Sequence, residues 1–357
     1  MKKILFILKR KANYSGQSTS TGLSTGLYNS ASYVHDMMTE LGIESKMVVV
    51  IDGNSIDREV HLYRPTHVII EALWVTPAKF SELIRLHPKV TWIIRLHSEL
   101  PFLANEGMAF DWLGDYGLSK NIVLAVNAPR MVDEIRNFYQ FKGIPENTLQ
   151  EKVIYLPNYY PSVFNRKKYS VDEFLNVGCF GAIRPLKNQL VQALAAISAA
   201  ERLGKKLKFH INIGRIEQKG DSVLRNIEGL FSHVYDKGHR LIGHEWTERE
   251  GFLEICKSMD IGMQVSFSET FNIVAADLIS QGVPIIGSKE IPWISCFFTA
   301  NPNDSKEITE KLLLAHKFPK MNIFLNQDFL NNYIDNTKRI WELYFGDCHA
   351  SEYYSYY

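Results

Sequence analysis

Short apolar runs alternate with amphipathic stretches along the chain. Runs of about four to eight apolar residues are typical of strands buried on both faces, and apolar residues three and four apart are typical of helices packed on a sheet. This alternation predicts βαβ units and hence parallel sheets. The predicted strands are 3–8, 45–51, 67–71, 91–96, 122–126, 153–155, 174–180, 208–213, 241–242, 261–265 and 283–287.

Apolar residues at helical spacing predict helices between many of these strands. Three of the helices are followed by Gly42, Gly204 and Gly282, and glycine is common just past a helix C-terminus. The predicted helices are 27–41, 77–86, 130–139, 189–203, 248–258, 271–281, 306–315 and 329–345.

Length and a change of composition predict two domains. The chain has 357 residues, and domains commonly have about 100–200. Residues 157–172 contain prolines, polar residues and a basic run, which favours a boundary there. We therefore expect an α/β protein with a first domain at 1–160, a second at 161–325 and a C-terminal helix at 326–357 that packs back toward the first domain.

Composition and charge narrow the class of protein only slightly. The four cysteines are widely separated, so we expect neither a zinc site nor a disulfide framework, as in a reducing cytoplasm. The apolar run near the start ends at Lys9, too early for a signal peptide or a membrane anchor, so a cytoplasmic protein is expected. A net charge of +1 gives no overall attraction to nucleic acid, although local basic clusters could still supply one.

Carboxylates around the predicted strand 261–265 are the first candidate site. Ligands of parallel α/β sheets bind beyond the carboxyl ends of the strands. Glu269 follows this strand, and Asp277 lies farther along the next helix in the stretch SFSETFNIVAADLISQGVPIIGS. Both carboxylates can accept hydrogen bonds from the hydroxyl groups of a ligand. A capped helix with one solvated acid on its face is the alternative. Backbone N–H groups at the helix start could bind phosphate, and these are Thr270, Phe271 and Asn272.

Cations after the strand 174–180 are the second candidate. In the stretch GCFGAIRPLKNQ, Lys187 lies six residues after Gly181, and Arg184 lies between them. Arg215 follows the next strand and could supply a second positive charge. Such side chains can hold a diphosphate and stabilise it as a leaving group. For each cation alone, a solvated surface charge is the alternative.

The remaining candidate site residues lie in the first domain. His97 ends the predicted strand 91–96, with Arg95 and Glu99 beside it. A Gly/Ser/Thr-rich loop precedes the first helix, where Gly26 lies. Such a loop can bind phosphate or an acceptor through its N–H groups, although neither a Walker motif nor a clean G-x-G-x-x-G is present. A structural histidine and a flexible loop are the alternatives.

Together these motifs resemble those of retaining, nucleotide-sugar-dependent glycosyltransferases of the GT-B fold (glycosyl transferases group 1). The resemblance implies two Rossmann-like domains facing each other across a cleft, an N-terminal acceptor domain and a C-terminal donor domain, with Pro157 and Asn158 at the hinge. It also implies that Glu269 binds hydroxyls of the donor sugar and that Asp277 binds both hydroxyls of the donor ribose, although the family usually has Glu at the second position. His97 would face the donor sugar and, with Glu269, is a catalytic candidate. The chain also resembles glycosyltransferases encoded by tailed phages.

The expected activity is transfer of a sugar from a nucleoside diphosphate sugar, with UDP favoured, to a hydroxyl, with retention of configuration. No Asp-x-Asp motif occurs, so we expect neither a metal nor another cofactor. Lys9, Arg10 and Lys11, with Arg95 and Glu99, are candidate acceptor contacts. The acceptor could be a hydroxylated pyrimidine in phage DNA, and a saccharide or lipid-linked acceptor is the alternative. An epimerase, and an inactive nucleotide-sugar or DNA-binding module, are the other classes considered. The oligomeric state stays open.

Overall fold

The computed structural model describes residues 2–10, 25–161, 163–167, 173–346 and 353. The chain divides into two compact units. Unit 1 comprises Met1–Pro161 and Ile334–Tyr357, and unit 2 comprises Ser162–Tyr333. Each unit contains one sheet whose described strand pairs are all parallel.

Unit 1 is built on a six-stranded sheet with the strand order β2-β1-β3-β4-β5-β6. Its central strands are buried on both faces, as the continuous apolar runs predict. The strands β1 to β6 are Lys3–Lys9, Glu44–Val50, His67–Glu71, Thr91–Leu96, Ile122–Val126 and Val153–Tyr155. The helices α1 to α7 are Thr25–Glu40, Ile56–Tyr63, Pro77–Leu86, Leu100–Leu103, Ala109–Leu118, Pro129–Phe141 and Glu146–Lys152.

Unit 2 is built on a five-stranded sheet with the strand order β11-β10-β7-β8-β9. The strands β7 to β11 are Phe174–Gly178, Lys206–Asn212, Arg240–His244, Ile261–Gln264 and Ile285–Gly287. The helices α8 to α12 are Gln189–Arg202, Gly220–His233, Arg249–Lys257, Ile273–Ser280 and Ser305–Lys317. The last helix, α13 (Pro319–Phe345), begins in unit 2 and ends in unit 1. None of the helices in the described part of the chain has the length and apolar character needed to cross a membrane.

The order of strands reverses beside the first strand of each sheet. In unit 2 the chain winds from β7 through β8 to β9, and then returns to place β10 on the other side of β7. β7 and β10 are therefore neighbours, paired at Gly178 and Gly262. A Cβ atom at Gly262 would lie 2.4 Å from a Leu278 methyl carbon, so a glycine lets α11 pack closely there. The loops that follow β7 and β10 meet at this reversal, which is where ligands of such sheets bind.

The structure contains every strand that the hydrophobic pattern predicts, and the observed strand ends differ from the predicted ones by at most two residues. Several helices were not predicted. The helix α9 buries Ile227 and Phe231 at helical spacing, but it begins at Gly220, without a side-chain cap, and contains Gly229, which weakens the sequence signal. The last helix begins at Pro319, ten residues before the predicted start, and proline is favoured in the first turn of a helix. The other unpredicted helices are α2, α4, α5 and α7.

Candidate active site

The loop after β7 carries the predicted cation Lys187. Gly181 has a φ of +113°, a conformation that favours glycine, and its N–H donates to Asn212 Oδ1 at 2.9 Å. The chain then passes through a short 3₁₀ turn, Pro185–Lys187, before α8 begins. Asn188 follows with a φ of +57°, and its Nδ2 donates to the Val265 carbonyl at 3.1 Å. The positive φ angles of Gly181 and Asn188, together with the hydrogen bond of the Asn188 side chain, therefore fix the position of the Lys187 backbone.

Gln192, a buried residue of α8, ties this loop to the loop after β10. Its Nε2 donates to the Lys187 carbonyl at 2.9 Å, and its Oε1 accepts from the Val265 N–H at 2.8 Å. The Phe267 N–H also donates to the Leu186 carbonyl at 2.9 Å. Because a buried amide with both ends bonded is costly to displace, the two loops keep a fixed spacing. Gln192 was not predicted, since a glutamine in an Ala-rich helix gives no signal of its own.

Lys187 and Glu269 meet between these loops. Lys187 Nζ lies 2.5 Å from Glu269 Oε1, and the two side chains are only 11% and 8% exposed. The charge-assisted contact is shielded from water, which makes it stronger than a surface ion pair. The arrangement places a cation able to bind phosphate directly beside a carboxylate able to accept from hydroxyls.

The start of α11 differs from the prediction by two residues. The helix begins at Ile273, and Asn272 is its N-cap, with Oδ1 accepting from the Ala275 N–H at 2.9 Å. Thr270 and Phe271 therefore precede the helix. The Phe271 ring is buried, and its carbonyl accepts from Trp293 Nε1 at 2.8 Å. The first N–H group of the helix is thus that of Ile273. The N–H group of Ala275, in the same turn, already donates to the Asn272 side chain.

Asp277 is held by an arginine that the sequence did not single out. Arg249, the first residue of α10, donates to both carboxylate oxygens of Asp277, with Nη1 at 2.9 Å from Oδ2 and Nη2 at 2.6 Å from Oδ1. Such a bidentate pair is geometrically specific. Asp277 therefore does not offer an open carboxylate in this structure.

Arg184 and Arg215, the two candidates for a second cation, are drawn together by one carboxylate. Arg215 Nε donates to Glu217 Oε1 at 2.6 Å, and Arg184 Nη1 donates to Glu217 Oε2 at 3.3 Å. The loops are also joined through their backbones, because the Ile183 N–H donates to the Arg215 carbonyl at 2.9 Å. Arg215 additionally lies over the Trp246 ring, 5.4 Å from its centroid. Both arginines thus lie in one cluster around Glu217. The sequence pattern does not single out Glu217.

In unit 1, His97 belongs to a polar cluster at the carboxyl ends of the strands. His97 Nε2 contacts the fully buried carboxylate of Glu71, and Nδ1 lies 3.4 Å from Asn127 Nδ2. Burial would raise the pKa of Glu71, but the Arg95 guanidinium and the His97 ring hold that pKa below its usual range. Burial lowers the pKa of His97 despite Glu71. His97 is therefore neutral, with its proton on Nε2 and a lone pair on Nδ1.

Arg95 and Glu99 have structural partners. Arg95 has no exposed surface, and it donates to Glu71 Oε1 at 3.2 Å and to the Pro157 carbonyl at 3.1 Å. This burial leaves it no surface for an acceptor, contrary to the expectation from sequence. Glu99 is also buried, with Oε1 accepting from Arg130 Nε at 2.8 Å and Oε2 contacting the same guanidinium.

The remaining predicted residues lie near the first strand. Lys9 and Arg10 are exposed at the end of β1, with the Lys9 ammonium 5.9 Å from the centre of the Trp74 ring. Gly26 is the second residue of α1, and a Cβ atom there would meet nothing within 4 Å, so local packing does not require glycine. Lys11 lies outside the described residues.

The fold is that of the GT-B glycosyltransferases, and the predicted fold class is confirmed. A sucrose-phosphate synthase from Thermosynechococcus elongatus is similar with a TM-score of 0.69 and 11% identity, over 96% of this chain and 98% of that one. Anabaena HepE in complex with UDP and glucose gives 0.63 and 11%, over 97% and 96%. The catalytic domain of starch synthase IV from Arabidopsis thaliana, bound to ADP and acarbose, gives 0.65 and 10%, over 99% of both chains. Neither a known protein family nor a curated protein matches this chain in sequence.

Proposed function

We propose that this protein is a glycosyltransferase that moves a sugar from a nucleoside diphosphate sugar to a hydroxyl group. The observation that carries the proposal is the 2.5 Å contact between Lys187 and Glu269 at the strand reversal of unit 2. A cation for a diphosphate and a carboxylate for sugar hydroxyls are the two groups that such a donor requires in one place. The similar HepE structure contains UDP and glucose, which supports a UDP-sugar as the donor.

In the proposed reaction, Lys187 binds the donor diphosphate and stabilises the charge that develops on it as the sugar leaves. Glu269 accepts hydrogen bonds from the sugar hydroxyls. Arg184 and Arg215 add positive charge near the phosphates. The bond between the anomeric carbon and the phosphate oxygen breaks, and a bond to the acceptor oxygen forms on the same face. The acceptor proton passes to an oxygen of the leaving phosphate, so the mechanism needs no protein base and no metal.

We also propose His97 as a catalytic residue that hydrogen-bonds the donor sugar. Its neutral ring is held in one orientation by Glu71, which supports such a role, because a fixed imidazole loses little freedom on binding. The acceptor is a hydroxyl compound of one of two predicted classes. A hydroxylated pyrimidine in DNA would use the exposed cations Lys9 and Arg10, whereas a saccharide acceptor would not need them.

A thermal-shift panel of UDP-, GDP- and ADP-sugars tests the donor. At about 100 times its Kd, the correct donor adds about 2.7 kcal/mol to the free energy of unfolding, which is readily seen as a rise in Tm. We expect one nucleotide class to stabilise the wild-type protein and the Lys187→Ala variant to respond much less. Lys237→Ala is a matched control, since Lys237 makes an equally short contact with Glu201 but is 61% exposed. A flat response of the wild type to all three classes would refute the proposal.

The acceptor is tested with the donor found in that panel. Transfer of radiolabelled sugar is measured to hydroxymethylated DNA, to unmodified DNA of the same sequence and to a set of oligosaccharides. Labelling of the hydroxymethylated DNA alone would support the nucleic-acid acceptor. Labelling of an oligosaccharide alone would exclude it and favour the saccharide class.

A further inference from the structure

The Arg249–Asp277 pair changes what Asp277, the residue that the resemblance places at the donor ribose, can offer to a ligand. Asp277 lies in the second turn of α11, the helix that follows the Glu269 loop. Both of its oxygens accept from Arg249, at 2.6 and 2.9 Å. The Asp277 side chain is 2% exposed, whereas that of Arg249 is 23% exposed. The more accessible side chain of the pair is therefore that of Arg249, and the Asp277 carboxylate is buried.

The two groups differ in the hydrogen bonds they can make. A free carboxylate accepts, so it can bind both O–H groups of a ribose. A guanidinium only donates, and a carboxylate that already accepts from a bidentate arginine gains little from a further hydroxyl. A site built to bind a hydroxyl rejects the analogue that lacks it because a buried polar group is then left without a partner. Here the Asp277 carboxylate keeps its partner whether or not the ligand carries a 2′-hydroxyl.

We propose that the donor site accepts 2′-deoxyribonucleoside diphosphate sugars about as well as the corresponding ribonucleotides, and that Arg249 is the residue responsible. This inference rests on the proposed function, because it concerns the nucleotide part of the same donor. The arginine satisfies Asp277 in advance and thereby removes the penalty that a missing hydroxyl would otherwise carry. Arg249 is thus a specificity-determining residue, and it relaxes selection at the ribose.

The test compares UDP with dUDP, which differ by one oxygen atom, in calorimetric titrations of the full chain. We expect the two Kd values of the wild-type protein to agree within about threefold. In Arg249→Lys, the ammonium engages Asp277 as a point charge, without the arginine fork, and the ribose hydroxyls gain an acceptor. UDP should then bind at least about tenfold more tightly than dUDP. Arg202→Lys is the matched control, since Arg202 also pairs bidentately with a carboxylate, Glu310, but on an exposed surface.

Asp277→Asn provides a second, independent measurement that does not depend on how well the lysine variant folds. If Asp277 does not bind ribose, this isosteric change leaves the UDP-to-dUDP ratio within about threefold. A wild-type preference for UDP above about thirtyfold, abolished in Asp277→Asn, would overturn the inference while leaving the proposed function standing. An unchanged ratio in Arg249→Lys would overturn the role of Arg249. Failure of the wild type to respond to any of the three nucleotide classes in the thermal-shift panel would overturn the proposed function itself, and this inference with it.

Discussion

Lys187 Nζ and Glu269 Oε1 lie 2.5 Å apart, although 82 residues separate them in the chain. The contact neutralises both groups while they are largely shielded from water. A donor that binds here must offer each of them a replacement partner, phosphate for the lysine and hydroxyl for the carboxylate. A ligand with only one of these groups would leave the other charge poorly satisfied, so we expect the proposed donor, a complete sugar nucleotide, to bind better than either of its parts.

Replacing Glu269 should separate donor binding from transfer. In Glu269→Ala, Lys187 keeps its phosphate contact, so UDP should bind within a few-fold of the wild type. The sugar loses its carboxylate partner, and we expect kcat to fall by about 100-fold or more, as for other groups that act on the reacting sugar or its charge. Steady-state transfer and UDP titration measure the two quantities. Glu228→Ala, an exposed residue of α9, is the control. Unchanged turnover in Glu269→Ala would remove Glu269 from the mechanism.

Charge from side chains, and not from a metal ion, is expected to hold the diphosphate. Transfer measured after treatment with EDTA should therefore keep at least about half of its rate, and added Mg²⁺ should not restore the Lys187→Ala variant. The physical reason is that Lys187 supplies the positive charge that a metal would otherwise bring to the leaving group. A rate that EDTA abolishes and Mg²⁺ restores would contradict this mechanism. Dialysis of the enzyme against buffer without chelator is the control.

The sequence predicts the fold and the location of Lys187 and Glu269 in loops after strands, because both depend on local signals. Each strand is a short apolar run, and Lys187 and Glu269 each follow such a run by a few residues. Strand order was not readable from the pattern, yet any parallel sheet places these loops at one edge. The predicted start of this helix, at Phe271, is two residues too early because Asn272 caps the helix later than the pattern indicates.

The partners of the predicted residues were not readable from the sequence. Arg249 lies 28 residues before Asp277 and pairs with it between two helices, so nothing in the local pattern marks it. Glu217 gives no signal in the sequence, because an acidic residue two positions after Arg215 is typical of an ordinary charged surface. Glu71 ends β3 and lies beside Arg95 in the β3–β4 register, a neighbour that the sequence pattern does not reveal. Buried ion pairs depend on packing in three dimensions, which hydrophobic periodicity does not encode.

Arg95 should matter for stability more than for catalysis. Arg95→Met keeps much of the side-chain volume but leaves the buried Glu71 carboxylate without its guanidinium partner, and breaking such a pair typically costs about 3–5 kcal/mol. The bonds to the Leu156 and Pro157 carbonyls are lost as well. Denaturant titration should show a lower midpoint with an unchanged slope. The double variant Arg95→Met with Glu71→Gln should recover part of the loss, because no buried charge is then left unpaired. Equal stability of Arg95→Met and wild type would refute this role.

The stability of the protein should fall on mild acidification, and His210 should account for part of the fall. His210 is buried in β8, with Nδ1 at 2.9 Å from His244 Nε2 and Nε2 at 3.4 Å from Asn176 Oδ1. Burial, with His244 and Lys208 nearby, lowers the pKa of His210 to about 4. The unfolded chain takes up this proton near pH 6.5, while the folded protein does not until about pH 4.

The free energy of unfolding should therefore be greatest above pH 6.5 and should decrease as the pH falls toward 4. His210 alone contributes on the order of 3 kcal/mol to this decrease, from the difference between its folded and unfolded pKa values. Denaturant titrations at pH 7.5, 5.5 and 4.5 measure it, and His210→Gln should show a shallower dependence on pH than the wild type. Burial also lowers the pKa of His67 to about 4, so part of the pH dependence of stability should remain in that variant. His233→Gln, at an exposed position of α9, is the control. A slope that does not change in His210→Gln would show that this histidine does not resist protonation in the fold.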